Sequence, residues 1–354
     1  MVLIITGLIA WALVIMRLRV NPISEERWLF LPLAVYVVAC VFSLFTYFNT
    51  QNIFGTDLYR LGSLGLIASI GCALALRTVQ TERLIRWLYF TIVLVALTAG
   101  PYDLLVNQSL SRLGGVFSQA NILAVFMGVG IIIGFSVWQS YPKHRKYLFA
   151  SQMLMVLVLL GTQTRSIILL MPVIVLLMAW RLKIAETKKM QITGGIVILS
   201  LVLLGSLALL TTSRISDVTY ANKSLSYRLD LQKAGLTSST AKPLLGYGTG
   251  NIENALKCSD LKSPSIKESC DDGYYFTSTH NIYLDRILAI GWIGGLAYSL
   301  FVQICLYLGL RLKGQQIQIL SYCALVIAIY YLTNVTSVAL ELLFVILLLR
   351  ISRV

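Results

Sequence analysis

A chain of 354 residues that is 57% apolar and 12% charged, with a mean hydropathy of +0.79, lacks the polar surface a soluble domain of this size requires. Its formal net charge of +14 is spread over the ends of apolar runs and forms no patch or stripe interleaved with aromatics. Nucleic acid is therefore excluded as the expected partner, and membrane lipid takes its place.

Apolar runs recur at lengths that suit bilayer-crossing helices. They are expected at 1–16, 29–48, 61–76, 86–100, 120–138, 147–161, 166–180, 192–211, 287–310, 317–333 and 337–349. The fold class expected is an all-α polytopic integral membrane protein with about eleven, or with one more N-terminal helix twelve, transmembrane helices. The first run lacks a basic leader and reads as a spanning segment, not a cleaved signal. No internal repeat stands out.

The loops after every second run, such as "RLRVNPISEER", "QSYPKHRK" and "RLKIAETKKMQ", are rich in Lys and Arg, whereas the short loops between them carry one basic residue each, Arg60, Arg112 and Arg165. Short basic loops stay in the cytoplasm. The long loop 212–286 is then outside, and the chain divides into helices at 1–211, that loop, and helices at 287–354. Long loops of this kind usually carry function. Cys258 and Cys270 fall in it, in an oxidising setting, and form a disulfide candidate; Cys40, Cys72, Cys305 and Cys323 fall in helices.

Taken in chain order, Gln119 and Asn121 open the fifth run, either as substrate-binding amides or as helix caps. Arg165, in "GTQTRSI", puts a cation at a tight outer turn, against the orientation rule, so it either binds an anion or snorkels to headgroups. Arg214 follows the eighth run. In "SLSYRLDLQKAG" and the residue after it, Leu225, Leu229 and Leu236 mark a short amphipathic helix on the membrane surface, which also carries Arg228. The stretch "KPLLGYGTGN" supplies Gly248 and Gly250, whose amides are candidates for phosphate, the alternative being a plain turn. No Lys-Ser/Thr follows, which excludes a nucleotide P-loop.

His280 and Asn281 then stand where the polar text ends and the next apolar run begins. His144 lies on the opposite side, and no ligand spacing surrounds His280, so neither metal nor cofactor is expected. Arginines that bind phosphate bidentately, beside an imidazole, suit a lipid carrying a diphosphate. Glu341 is an acid well inside a predicted span, with no partner readable from the sequence. Tyr274, Tyr275 and Tyr283 suit an interfacial aromatic belt.

Four segments, in order, resemble the O-antigen ligase superfamily, which includes O-antigen polymerases and bacterial protein O-oligosaccharyltransferases. "GGVFSQANILAVFM" is similar to its Phe-x-x-x-Asn helix opening, although Ala120 stands where the family often has proline. "GTQTRSIILL" resembles its outer arginine turn, "SYRLDLQKAGLTSSTAKPLLGYGTGN" its Arg-helix-Pro-Leu-x-Gly-x-Gly pattern, and "STHNIYLDRILAIGWIGG" its His-Asn segment before a glycine-containing helix. The resemblance is strongest over about 112–300.

The resemblance implies an inverting glycosyltransferase in the bacterial inner membrane with its active site facing the periplasm. Its donor would be a polyprenyl-diphosphate-linked glycan and its acceptor lipid A-core. Polymerisation onto a second lipid-linked glycan, or protein O-glycosylation, are the alternatives within the family. His280 would assist the acceptor hydroxyl, and Arg165, Arg228 and Arg214 would hold the diphosphate. A lipid-linked oligosaccharide flippase is the non-enzyme alternative, but the broken-helix repeats of transporters are not seen.

Overall fold

A computed structural model describes residues 27–55, 62–77, 79–108, 112–182, 218–257, 276–312 and 314–352. Among them every regular element is a helix. They are α1 (Arg27–Thr46), α2 (Thr50–Phe54), α3 (Ser63–Leu76), α4 (Thr81–Leu105), α5 (Ala120–Ser140), α6 (Arg145–Gly161), α7 (Arg165–Arg181), α8 (Val218–Ser239), α9 (Ile282–Arg311), α10 (Gln315–Tyr330) and α11 (Val338–Ile351). Each expected apolar run within these residues falls on a helix. The runs at 1–16 and 192–211, with Arg214, Cys258 and Cys270, lie outside the described residues.

Among the described residues three helices are long and apolar enough to cross a membrane: α4, α5 and α9. On α4, Trp87, Phe90, Leu94, Leu97 and Leu104 are exposed at helical spacing, an apolar stripe that only lipid accommodates at low cost. By contrast α5 is apolar all round and almost wholly buried, as a central helix should be. A Cβ at its Gly130 would lie 2.5 Å from Met155 Sδ and 2.6 Å from Ile92, so the absence of a side chain is what admits α4 and α6 this close.

The chain forms two compact units that interleave in sequence. Unit 1 comprises Met1–Thr78, Ala221–Leu308 and Tyr331–Val354, and unit 2 comprises Val79–Tyr220 and Gly309–Tyr330. This is a division by packing, distinct from the topological one into helices, loop and helices.

The expected surface helix is α8, longer at both ends than the segment that announced it. Its Leu225, Leu229 and Leu236 are exposed, while Leu231 on the other face is buried with Ile252, Leu256, Phe276 and Leu288. The helix is therefore amphipathic.

Candidate active site

In unit 1, the turn carrying His280 is built around Asp285. Ser278 Oγ donates to Asp285 Oδ2 (2.6 Å), and both the amide and the Oγ1 hydroxyl of Thr279 donate to Oδ1 (2.8 and 2.7 Å). The His280 amide donates to Ser278 Oγ (3.0 Å). Asn281 caps α9: its Oδ1 accepts the Leu284 amide (3.2 Å). So constrained, His280 adopts a left-handed backbone, φ 59°, which is uncommon away from glycine and is held only where the surroundings over-determine it.

The imidazole lies edge-on to Tyr227 of α8, ring centroids 6.4 Å apart. Burial, and secondarily the Arg228 guanidinium, push its pKa down to about 4. At neutral pH it is an uncharged imidazole with a lone pair to accept a proton.

Arg228 itself is oriented by the segment between α10 and α11. Its Nη1 donates to the Thr333 carbonyl (3.0 Å), and Gln232 Nε2, one turn on, reaches the Leu332 carbonyl (3.4 Å). The preceding carbonyl, Tyr331 O, accepts the Ile282 amide at the start of α9 (2.9 Å). Three successive carbonyls freed by the end of α10 thus latch both the arginine helix and the histidine turn.

Beneath this turn, Arg286 and Glu341 form a buried ion pair (3.2 Å), their side chains 6% and 2% exposed. Tyr298 and Tyr331 donate to the two Glu341 oxygens (3.2 and 3.0 Å), and the Arg286 guanidinium lies over the Tyr298 ring at 5.5 Å. This supplies the partner for Glu341 that the sequence left open. A cleft of about 40 Å³ is lined by Thr249, Ser278, Asp285, Arg286 and Thr336, among others.

The glycine segment packs against α9 and α2. At Gly291 (φ 78°) α9 breaks, freeing carbonyls, and the segment inserts there. The amides of Tyr247 and Gly248 donate to Leu288 O (2.7 Å) and Ala289 O (2.8 Å), and the Trp292 amide donates to Pro243 O (2.7 Å). The next amide, of Thr249, goes to Asn52 Oδ1 (2.7 Å), and a Cβ on Gly250 would sit 1.8 Å from Gln51 O. Gly248 thus spends its amide on α9, and Gly250 permits contact with α2 and lines the cleft.

In unit 2, Arg165 is the first residue of α7, after a turn in which Gln163 has φ 52°. Its Nη2 is buried with no hydrogen-bond partner among the described residues. Asn121 lies in the first turn of α5, and its Oδ1 meets the preceding loop and the turn before α7. It accepts Arg112 Nη2 (2.6 Å) and Thr164 Oγ1 (3.2 Å). Gln119 occupies the N-cap position without a side-chain capping bond. Two residues that sequence reasoning passed over act here. Arg112 Nε also donates to Thr162 O (2.9 Å), and buried Asp103 accepts the amides of Gly114 and Gly115 (both 2.8 Å). Arg112 was visible only as the basic residue of an outer loop, and Asp103, just past the expected run 86–100, drew no reading.

Among the described residues no cluster of His, Cys, Asp and Glu is arranged to hold a metal ion. A search of curated proteins found no match to this chain. A family model described as O-Antigen ligase matches residues 150–299, a stretch that contains Arg165, Arg228, Gly248, Gly250, His280 and Asn281, and over it the resemblance of this chain to the O-antigen ligase superfamily is shown.

Proposed function

We propose that the protein transfers O-antigen glycan from a polyprenyl-diphosphate carrier to lipid A-core at the periplasmic face of the bacterial inner membrane. The observation that carries this reading is a half-buried imidazole, His280, held edge-on to Tyr227, the neighbour of Arg228 on α8, in the stretch that matches the O-Antigen ligase model.

The chemistry follows from those groups. The acceptor hydroxyl oxygen attacks the anomeric carbon from the face opposite the diphosphate, the carbon–oxygen bond to diphosphate breaks, and the anomeric configuration inverts. The hydroxyl proton passes to His280, or His280 orients the hydroxyl while the proton goes to the departing diphosphate. Negative charge grows on that leaving group, and fixed guanidinium groups stabilise it without reorganising. Arg228 serves this role, and the resemblance assigns Arg165 and Arg214 to it as well. Donor binding also tunes the imidazole: the incoming anion offsets the Arg228 cation that depresses the His280 pKa, so the group becomes more basic as the reaction approaches. Asn281, Gln119 and Asn121 are the amide side chains proposed to meet the glycan or phosphate.

Purified protein in liposomes, given lipid-linked glycan and lipid A-core with EDTA and no nucleotide, should yield core-attached glycan. His280→Ala and Arg165→Ala should lower the rate by at least about a hundredfold with insertion unchanged, and Arg228→Ala should weaken donor use. Elongated lipid-linked glycan as the product would make the protein a polymerase, and donor translocation without covalent product would make it a transporter. A cellular counterpart is the surface glycan of a deletion strain: a ligase loses every core-attached chain, whereas loss of a polymerase leaves one repeat unit.

A further inference from the structure

Within unit 1, Arg286 is paired for charge but not for hydrogen bonds. Its guanidinium lies 3.2 Å from Glu341, and its side chain is 6% exposed. Nε and Nη2 are nevertheless buried with no hydrogen-bond partner among the described residues. Buried donors are rarely left so, because each forfeits the bonds it made in water. A neutral oxygen would answer them. An anion is not called for, since Glu341 already balances the charge.

Arg286 lines the cleft of about 40 Å³, and so does Asp285. Of the Asp285 oxygens, Oδ1 takes two hydrogen bonds from Thr279, whereas Oδ2 takes one from Ser278 and keeps a lone pair free. The threonine hydroxyls on the wall are engaged elsewhere: Thr249 Oγ1 lies 2.7 Å from both Ser63 Oγ and Asn52 Oδ1, and Thr336 Oγ1 lies 2.8 Å from the Tyr331 hydroxyl. The cleft therefore offers a ligand donors on Arg286 and an acceptor on Asp285. A hydroxyl group answers both, whereas an ionised phosphate brings no donor and an ammonium brings no acceptor. The volume agrees, with room for roughly three water-sized groups, enough for the edge of a sugar but not for its ring.

We propose that this cleft is a sugar-hydroxyl subsite, in which Arg286 donates to one neutral hydroxyl of a glycan and Asp285 accepts from it while the ring stays outside. The inference rests on the glycan transfer proposed above and deepens it. Ser278, whose Oγ accepts the His280 amide, is part of the cleft wall, so a hydroxyl docked here sets the register of the glycan against the histidine turn. Arg286 and Asp285 thereby select a sugar as well as hold the fold.

Ligand-observed NMR on the full-length protein in detergent, with the methyl glycosides of glucose, galactose and mannose as probes, tests binding apart from transfer. At least one of these neutral hexosides should bind, and glucose 1-phosphate should bind about tenfold or more weakly than it. The double variant Arg286→Met with Glu341→Leu removes the donors without stranding a charge and should weaken hexoside binding about tenfold or more. Thr277→Leu adds bulk to a half-buried position on the cleft wall and leaves Arg286, Glu341 and Asp285 in place. It should weaken binding similarly, with an unchanged melting temperature. Wild-type protein that binds none of the three hexosides, or either folded variant with affinity within about twofold of wild type, would overturn the proposal and leave the cleft to water. Tighter binding of glucose 1-phosphate would overturn it as well, by making Arg286 an anion site. Initial-rate transfer by Thr277→Leu then identifies the sugar: KM rises for lipid A-core if the hydroxyl belongs to the acceptor, and for the lipid-linked glycan if it belongs to the donor. Hexoside binding with these dependences but without glycan transfer would sink the proposed function and spare the subsite.

Discussion

The turn at 278–281 in unit 1 and the turn at 162–165 in unit 2 look alike in sequence. Each is short and polar, each leads into a helix, and each contains a non-glycine residue with left-handed backbone, His280 and Gln163. They differ in what their polar groups do. In the first, Asp285 takes three hydrogen bonds from Ser278 and Thr279, and Arg286 and Glu341 below are buried against each other. In the second, the arginine stands on the turn itself: Arg165 opens the helix, and its Nη2 is buried with no hydrogen-bond partner among the described residues. Arg286 below the first turn likewise leaves Nε and Nη2 without a hydrogen bond among the described residues, but its charge is paired with Glu341. The first turn is thus braced by a carboxylate and set over a paired cation, and the second carries its own cation at the helix start.

The contrast is broken most forcefully at the ion pair. Arg286→Met leaves Glu341 buried and uncompensated and should cost roughly 3–5 kcal/mol of stability. The double variant Arg286→Met with Glu341→Leu should recover most of it, because a buried pair replaced by apolar groups is often neutral. Thermal melting of the purified proteins, with transfer assayed in parallel, separates the roles. A stable double variant with wild-type transfer would confine the pair to stability. One that is stable but slow would show that the pair also aims the histidine turn.

The break in α9 is the next largest lever. Gly291 has φ 78°, and a Cβ there would sit 2.1 Å from Leu244 O, a backbone atom that cannot swing aside. Gly291→Ala should cost at least about 1–3 kcal/mol, seen as a lower melting temperature and poorer membrane yield. A smaller loss is expected from Asp285→Asn. One acceptor becomes a donor facing the hydroxyls and amide of Ser278 and Thr279, worth about 1–3 kcal/mol, and the transfer rate should fall together with the order of the turn. An Asp285→Asn protein with unchanged rate would mean that His280 needs no such bracing.

How much of this was legible beforehand follows from the range over which each signal acts. Hydropathy is local, so the apolar runs among the described residues lie on helices, and the amphipathic face of α8 was readable from Leu225, Leu229 and Leu236. The arginine turn and the His-Asn boundary stood out because charge is rare beside apolar runs. Contacts that close over long stretches of chain left no trace. Nothing near Glu341 names Arg286, and nothing near Asn121 names Thr164. The glycines of "KPLLGYGTGN" invited a phosphate-binding reading because amides not yet paired look available, and the break at Gly291 supplies the carbonyl that takes the Gly248 amide. Arg112 was hidden for a similar reason: a single basic residue in a short outer loop is what orientation alone would leave there.

The gentlest test of the comparison is pH. His280 in the free protein has its pKa pushed down to about 4, chiefly by burial and then by Arg228. Its folded value thus lies below the unfolded value of about 6.5. Between those values the unfolded chain binds a proton that the folded one does not, so this group's contribution to stability is present above about pH 6.5 and is lost as pH falls toward 4. The same ordering governs activity. Because kcat/KM reports the free enzyme, its acid limb should lie well below an ordinary histidine value. Arg228→Gln should move that limb upward only part of the way, since burial, the larger cause, remains. An acid limb near 6.5 in the wild type would mean that the imidazole is solvated, and the positioning turn would then lose its claim to hold a buried base.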